Sequence, residues 1–256
     1  MSADETVAVS VVIAARNEAA NIAACIDSVQ WAREIMVVED GSTDDTVRIA
    51  AAAGARVLQH AFSTIGGQRN AAIEVAAEDW ILVVDADERA SRELGSEIAA
   101  TIASGGPDAY RVTRRNFFFG REVKHGGWQR DRPVRLFRRT GRYNASRVHE
   151  HVEVAGAVGE LAHALTHEPY PTIGSWFEKL DRYSGWWADD RFERGRRVSA
   201  ATVVVRPPLR FLSMYIIRGG WMDGAAGAIL ACMASTSVMA KYARLWALGL
   251  RERTSN

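Results

Sequence analysis

The N-terminal part of the chain alternates between continuous apolar runs and stretches with apolar residues at helical spacing. The run 7–15 is typical of a strand buried on both faces, because it is continuous, apolar and rich in β-branched residues. Residues 34–38 are predicted as a second buried strand, and residues 55–60 and 80–84 as the third and fourth strands. Strands that alternate with helices predict an α/β fold with a doubly wound, mostly parallel sheet.

Short polar residues and glycines mark the ends of the predicted helices. Asn17 and Ser91 are the expected N-caps of the first and fourth helices, and Gly54 is expected to close the second. The stretch "GGQRNAAIEVAA" is interpreted as a glycine-rich turn that leads into the third helix. These signals predict one helix after each of the first four strands.

The pattern is less regular after Gly106 and becomes helical again from about Gly174. Strands are expected within "AYRVTRRNFFFG" and "VRLFRR", in a basic region. We therefore predict three segments, 1–108, 109–172 and 173–256.

An uncharged stretch of 17 residues, 224–240, lies in the last segment. A spanning helix needs roughly 20 mostly apolar residues, and this stretch is rich in Gly, Ala, Ser and Thr, so a full span is disfavoured. Trp221, Tyr242, Trp246 and nearby basic residues favour an interfacial membrane helix, with "RPPLR" as its lead-in. A buried packing helix, or one that joins copies in a homo-oligomer, is the alternative.

Acidic residues follow three predicted strands, in "ARNE", "EDGSTDD" and "DADE". The carboxyl ends of parallel strands meet at one edge of the sheet, where doubly wound proteins bind ligands. Asp85 and Asp87 are suited to one cation with oxygen ligands. Mg²⁺ or Mn²⁺ is the expected ion, because both favour carboxylate and phosphate oxygens. Such a pair is by itself a weak signal, since loops are often polar.

Two common nucleotide-binding motifs are missing from the sequence. No G-x-G-x-x-G follows the first strand, and no G-x-x-x-x-G-K-[ST] occurs. Their absence disfavours a dinucleotide-dependent oxidoreductase and a P-loop enzyme. Acids at the ends of the first two strands instead suit hydrogen bonds to a base and to ribose hydroxyls.

The 256 residues carry a formal net charge of +1, but the charge is unevenly placed. Between Ala109 and Glu150, eleven Arg and one Lys stand against three acids, for a net charge of +9. This basic segment is either a solvated face or a surface that meets phosphates. Cys25 and Cys232 are far apart and favour a reducing compartment, and the polar N-terminus does not resemble a signal peptide.

Four motifs occur in order within residues 7–105: "VSVVIAARNEAANIAACIDSV", "EDGSTDDT", "GGQRNAA" and "WILVVDADE". Together they resemble family 2 glycosyltransferases, which have the GT-A fold. Later stretches, such as "VHEHVEV" and "RFLSMYIIRGGWMDGAAGAILA", are similar to the bacterial subgroup that adds sugars to the lipopolysaccharide core. The resemblance implies a nucleotide-sugar-binding half (1–108), an acceptor-side catalytic half (109–172) and a C-terminal helical region (173–256).

The resemblance also assigns the donor site. It implies that Glu39 and Asp40 contact the uracil and the ribose, although the family usually has Asp at the position of Glu39. Arg69 would reach the base or a phosphate. Asp85 would touch the ribose or the metal, and Asp87 would bind the metal directly. The wall of the nucleotide site would be formed by Ala14, Arg16 and Glu18.

An inverting transfer needs a base within hydrogen-bond reach of the acceptor hydroxyl. Glu150 is the candidate and Asp131 is the reserve, and the alternative for Glu150 is an ion pair with a neighbouring arginine. His149 and His151 are interpreted as structural, because no third metal ligand is evident.

Four further residues are candidates on the acceptor side. Trp128 stacks on a sugar or lies in the core. Arg135 and Arg138 face either the pyrophosphate or an anionic lipid-linked acceptor. Glu88 supports the site or faces the acceptor, and the sequence does not decide between these roles.

The predicted activity is inverting transfer of a single hexose from UDP-glucose or a similar UDP-hexose to a glycolipid or lipopolysaccharide-core acceptor. We expect it in the cytoplasm, at the inner face of the cell membrane, with no nucleic-acid partner. The Q-x-x-R-W motif of processive synthases is missing. The alternatives are a sugar nucleotidyltransferase, a basic nucleic-acid-binding module and a non-catalytic family member.

Overall fold

The computed structural model describes residues 6–61, 64–144, 150–170 and 172–255. Its strands are β1 (Val7–Ala15), β2 (Ala32–Glu39), β3 (Arg56–Gln59), β4 (Trp80–Val83), β5 (Glu88–Ala90), β6 (Ala109–Arg111), β7 (Arg114–Phe118), β8 (Arg121–Val123), β9 (Val134–Arg138), β10 (Arg142–Tyr143), β11 (Val152–Glu153), β12 (Val158–Glu160) and β13 (Leu165–His167). Its α-helices are α1 (Ile22–Ser28), α2 (Thr46–Ala52), α3 (Ile65–Val75), α4 (Arg92–Ser104), α5 (Ile173–Glu193), α6 (Ala200–Leu212) and α7 (Gly224–Ser255).

These elements form two compact units. The first contains the chain up to Arg115 together with Asp131–His167. The second contains Asn116–Arg130 and the chain from Glu168 onward. The predicted segment 109–172 therefore contributes residues to both units.

A seven-stranded sheet forms the centre of the first unit, in the order β12-β6-β9-β4-β1-β2-β3. β1 pairs in parallel with β2 and β4, and β2 pairs in parallel with β3. β9 runs antiparallel between β4 and β6. The predicted doubly wound, mostly parallel α/β fold is confirmed, and the reversed strand brings part of the basic segment beside β4.

β1 supplies both layers of the core. Val11 and Ile13 pack in the cluster on one face of the sheet, whereas Val12 packs with Met36 and Ile81 on the other. Successive side chains of a strand point to opposite faces. A central strand covered by helices on both faces therefore requires the uninterrupted apolar run seen in the sequence.

One predicted N-cap is confirmed and the other is wrong. The Ser91 side chain caps α4 by accepting a hydrogen bond from the Leu94 N–H. Asn17 does not cap α1, which begins at Ile22. It adopts a positive φ of 55°, and its side chain accepts a hydrogen bond from Thr43 instead.

The glycine-rich stretch lies inside α3 instead of preceding it. Thr64 is the N-cap and accepts a hydrogen bond from the Gly67 N–H, so the first turn of the helix contains both glycines. A Cβ on Gly66 would lie 2.8 Å from the carbonyl oxygen of Asn144. The missing side chain therefore lets α3 approach the segment that leads to Glu150.

Three helices dominate the second unit. α7 packs against both α5 and α6, and its Leu230, Ala231 and Met233 are buried. Pro207 and Pro208 lie inside α6, so the predicted lead-in is part of a longer helix. One face of the stretch 224–240 therefore packs within the second unit, and contact of its other face with a membrane interface stays a prediction.

Two stretches of the second unit are long and apolar enough to cross a membrane, Ala200–Ile217 and Gly220–Glu252. Length and composition also fit buried helices and helices that lie in a membrane interface. Attachment of this region to a membrane therefore stays a prediction.

Candidate active site

The loops after β1 and β2 are joined into one scaffold at the carboxyl edge of the sheet. Asn17 Oδ1 accepts a hydrogen bond of 2.8 Å from the Thr43 N–H. Thr46 Oγ1 accepts one of 2.8 Å from the Glu18 N–H. The polar run "GSTDD" therefore fixes the shape of the first loop, a role that its composition alone did not reveal.

The predicted uracil and ribose contacts face different ways. Glu39 is buried, and its carboxylate accepts a hydrogen bond from the Ser42 N–H of its own loop. Asp40 Oδ2 lies 3.4 Å from Nη1 of Arg16, whose side chain is 53% exposed. Glu39 thus supports the loop, whereas Asp40 and Arg16 lie at its open side.

The other two predicted wall residues belong to the same edge. Ala14 lies near the end of β1 and is paired with Val38 of β2. The Glu18 side chain accepts a hydrogen bond of 2.8 Å from the Asn21 side chain, at the start of α1. Both residues are therefore held by the scaffold.

Asp85 is surrounded by three arginines at the end of β4. Its Oδ1 lies 2.5 Å from Arg69 Nη2. Its Oδ2 lies 2.9 Å from Arg114 Nη2 and is also paired with Arg135 Nη2. Burial acts to raise the pKa of Asp85, but Arg135 and Arg69 outweigh it and hold this pKa well below its usual range. Asp85 is therefore ionised at neutral pH.

Glu88 is completely buried and supports the same arginines. Its Oε2 accepts a hydrogen bond of 2.8 Å from the Asp85 N–H. Its Oε1 lies 2.9 Å from Arg135 Nη2 and 2.6 Å from Arg114 Nε. Burial raises the pKa of Glu88, against the opposing charge of Arg135. Of the two roles that the sequence left open, the supporting one matches these contacts.

Each candidate base shares an arginine with Asp85. Glu150 Oε1 lies 3.2 Å from Arg69 Nη1, and Asp131 Oδ2 lies 3.4 Å from Arg114 Nη1. The ion pair considered for Glu150 is present, but its partner is distant in sequence. The two carboxylate side chains are 18% and 27% exposed, so neither is sealed from a substrate.

Asp87 contacts His167, which no sequence pattern had singled out. His167 Nε2 lies 3.5 Å from Asp87 Oδ1. The contact depends on β13, which pairs antiparallel with β5 and places His167 opposite Glu88. Burial lowers the pKa of His167, against the opposing effect of Asp87. The neutral imidazole that burial favours is the form that binds metals.

The described residues contain no group of three or more His, Cys, Asp or Glu side chains placed to hold a metal ion. Asp87 and His167 could hold an ion that takes its remaining ligands from water and substrate phosphates. Both oxygens of Asp85 face guanidinium groups, and its predicted role as a metal ligand stays a prediction. His151 bonds to an asparagine side chain, and His149 lies outside the described residues.

The two other predicted acceptor contacts have different surroundings. Arg138 is paired with Trp80 at the start of β4, the opposite end of the strand from Asp85, and its guanidinium lies 4.3 Å from the indole centroid. Trp128 belongs to the second unit, where its ring centroid is 4.9 Å from that of Phe118. The proposed contacts of these residues with phosphate and sugar stay predictions.

Much of the charge of the basic segment is balanced inside the first unit. Arg114 and Arg135 pair with Asp85 and Glu88, which lie outside the segment. Three more of its arginines form such pairs: Arg132 with Glu160, Arg138 with Asp108, and Arg139 with Asp79. The net charge of +9 therefore does not describe a free basic face.

A doubly wound sheet with acidic loops at its carboxyl edge defines the class of protein, an α/β protein that binds its ligand beyond the strand ends. Residues 10–158 match the sequence model described as Glycosyl transferase family 2. This match covers more than half of the chain, which therefore belongs to glycosyltransferase family 2. Members of this family transfer a sugar from a nucleotide sugar.

Two relatives match almost the whole chain. It is 32% identical over 241 residues to the lipopolysaccharide core biosynthesis glycosyltransferase LpsC of Rhizobium meliloti (strain 1021), with 90% of this chain and 88% of LpsC covered. It is 31% identical over 237 residues to an uncharacterized glycosyltransferase of Rickettsia felis, with 86% and 82% covered. The resemblance to the lipopolysaccharide-core subgroup is thus confirmed.

A solved structure matches a smaller part. Glucosyl-3-phosphoglycerate synthase from Mycobacterium tuberculosis, in complex with Mn²⁺, UDP and glucosyl-3-phosphoglycerate, is 21% identical, with a TM-score of 0.40. The match covers 54% of this chain and 58% of that chain. This chain therefore spans a little over half the length of that structure.

Proposed function

We propose that the protein transfers a single hexose, with inversion, from UDP-glucose or a similar UDP-hexose to a lipopolysaccharide-core or other lipid-linked acceptor. Transfer would take place in the cytoplasm, at the inner face of the membrane. Family membership supports the donor class, and the likeness to LpsC supports the acceptor class. The observation that carries the proposal is the joined scaffold at the sheet edge, which holds Asp40 and Arg16 beside the strand end that bears Asp85.

The nucleotide would bind at this scaffold. Asp40 offers a carboxylate for the ribose or the base, and Arg16 is exposed enough to move toward a bound ligand. Arg69, which holds Asp85, would direct its positive charge toward the diphosphate. Glu39 would act through the loop that it supports. The backbone near Ala14 and Glu18 would form the wall of the site.

Asp87 and His167 would hold the Mg²⁺ or Mn²⁺ ion. Such an ion supplies charge stabilisation for the departing nucleoside diphosphate. Asp85 would fix the arginines around it, because its two oxygens already face guanidinium groups. Arg114 and Arg135 would then be held ready for the negative charge that develops as the diphosphate leaves.

Glu150 would be the base, with Asp131 in reserve. In a single displacement, the acceptor oxygen forms a bond to the anomeric carbon, the bond from that carbon to the diphosphate breaks, and the hydroxyl proton passes to the base. Arg69 Nη1 lies 3.2 Å from Glu150 Oε1 and would hold the carboxylate in place to accept that proton. The same arginine joins Glu150 to Asp85 and so connects the base to the donor side.

A donor screen tests the proposal. Purified full-length protein is incubated with radiolabelled UDP-glucose, UDP-galactose or a nucleotide-linked heptose, together with a membrane extract. We expect label from one UDP-hexose in the lipid fraction, released as one sugar per acceptor. Incorporation only from a non-UDP donor would refute the donor assignment, and chains of several sugars would refute single transfer.

A further inference from the structure

The second unit carries an exposed apolar stripe on α6 and on the π-helical turn Ser213–Ile217 that continues it. Val205, Leu209 and Leu212 recur at intervals of three and four residues and therefore lie on one side of α6, and Ile216 follows four residues later in that turn. Each of the four is between 49% and 57% exposed. The next residue, Ile217, is 80% exposed and extends the apolar surface. A continuous exposed patch of this kind marks an interaction surface.

Cations lie beside the stripe. Arg206 and Arg210 are one helical turn apart, and together with Val205 and Leu209 they line a groove of about 680 Å³ that reaches Tyr242 of α7. The Arg206 guanidinium lies 4.8 Å from the centroid of the Tyr242 ring. The groove thus combines fixed positive charge with an apolar margin.

No described carboxylate forms an ion pair with Arg206, Arg210, Arg218 or Lys241. Burial and the charge of Arg218 lower the pKa of Arg210. Burial and the charge of Arg210 likewise lower the pKa of Lys241. Partly buried cations that repel one another would be stabilised by a bound anion.

We propose that α6 is the membrane-docking face of the protein. Its apolar stripe would enter the boundary between lipid headgroups and acyl chains, and the groove between Arg206 and Arg210 would hold the phosphate of an anionic phospholipid. The exposed Trp221, which follows the turn Ser213–Ile217, suits the same interface. The proposal deepens the proposed function, because a lipid-linked acceptor would be met at this surface.

Other occupants fit the observations less well. As a spanning helix, the stretch Ala200–Ile217 would place Arg206 and Arg210 in its middle, where a bilayer disfavours charge. A second copy of the chain, packed symmetrically on the stripe, would bring its own arginines against these. An anionic lipid surface matches both the stripe and the cations.

Vesicle flotation of the full-length protein tests the docking face. Vesicles of phosphatidylcholine alone are compared with vesicles that also contain phosphatidylglycerol. We expect at least tenfold tighter binding to the anionic vesicles, and the double variant R206Q/R210Q should lose this preference. The double variant L209S/I216S should bind both kinds of vesicle at least tenfold more weakly. R206K/R210K, which keeps the charge, should retain most of the preference.

Two exposed residues elsewhere in the second unit give matched controls. R196Q removes a cation and I173S an apolar side chain outside α6, and both should bind like the unchanged protein. Circular dichroism confirms that each variant is folded. Equal binding to both vesicles, or undiminished anionic binding by R206Q/R210Q, would overturn the proposal.

Two further results would also overturn it. Resistance of the membrane-bound protein to alkaline carbonate would show a spanning helix. A lipid-free dimer that L209S/I216S dissociates would show that a second copy covers the stripe. UDP binding, measured on the same samples, keeps the tests separate, because its failure would count against the donor site and not against the docking face.

Discussion

The candidate site of the first unit and the groove on α6 of the second unit treat their arginines in opposite ways. At the sheet edge of the first unit, Arg69, Arg114 and Arg135 are all paired with carboxylates. In the second unit, Arg206 and Arg210 have no such partner among the described residues. Charges that are fully paired within the protein hold a geometry, whereas charges left open on a surface attract something from outside.

This difference shows that the number of arginines in a segment does not indicate how much free positive charge it presents. The basic segment looks like the phosphate-binding part of the chain, yet much of its charge balances acids of the first unit. The groove of the second unit holds only two arginines, Arg206 and Arg210, but neither has a carboxylate partner among the described residues. The predictions below test the contrast, from the largest expected effect to the smallest.

The strongest effect is expected at the candidate base. E150Q keeps an oxygen that can accept from Arg69 but removes proton acceptance, so the transfer rate should fall by about 10²- to 10⁴-fold. Calorimetry should show unchanged UDP binding. The matched variant D131N should have the smaller effect on rate. A larger loss of rate for D131N would mean that Asp131 is the base. Loss of UDP binding by E150Q would indicate a structural role for Glu150.

A buried partner of the arginines should matter for stability. E88Q removes a buried carboxyl oxygen that contacts both Arg114 and Arg135, so the free energy of unfolding should fall by about 1 to 3 kcal/mol in urea denaturation. D45N, which removes the carboxylate of an exposed ion pair with Arg48, should leave the unfolding curve unchanged. A loss below about 1 kcal/mol for E88Q would mean that Glu88 is uncharged in the folded protein.

Substitutions of Asp40 and Glu39 should have different effects, the first on UDP affinity and the second on stability. D40N removes a carboxylate from the open side of the scaffold, so UDP should bind about 10- to 100-fold more weakly, as expected for one charge-assisted hydrogen bond. E39Q changes a buried residue that supports the loop, and it should affect thermal stability more than UDP affinity. Equal losses of affinity would show that both carboxylates touch the nucleotide.

The smallest effect is expected in the groove of the second unit. R210Q removes a cation that has cationic neighbours and no described carboxylate partner, so the free energy of unfolding should change by less than about 0.5 kcal/mol. Thermal denaturation without lipid measures it. A pronounced destabilisation would mean that Arg210 has a structural role like that of Arg135, and the contrast between the units would fail.

Local sequence patterns were sufficient for the parallel part of the sheet, β1 to β4. The uninterrupted apolar run of β1 predicted a central strand, and the acids after β1, β2 and β4 follow neighbouring parallel strands. Ser91 was recognisable as a cap because its hydrogen bond to Leu94 is local. Such features depend on residues that are close in sequence.

The missed features depend on residues far apart in sequence. His167 reaches Asp87 only because β13 pairs with β5. Arg135 reaches Asp85 only because β9 runs antiparallel beside β4. Asn17 was mistaken for a cap because its partner, Thr43, lies in another loop. No periodic pattern of residues in the sequence predicts these contacts.

Calorimetric titration of the purified protein with UDP, with and without Mn²⁺, tests the donor site most directly. The account predicts saturable binding that Mn²⁺ tightens. In the variant D87A, binding should remain but the effect of Mn²⁺ should disappear. No binding of UDP or of any other nucleoside diphosphate, with or without the metal, would contradict the account.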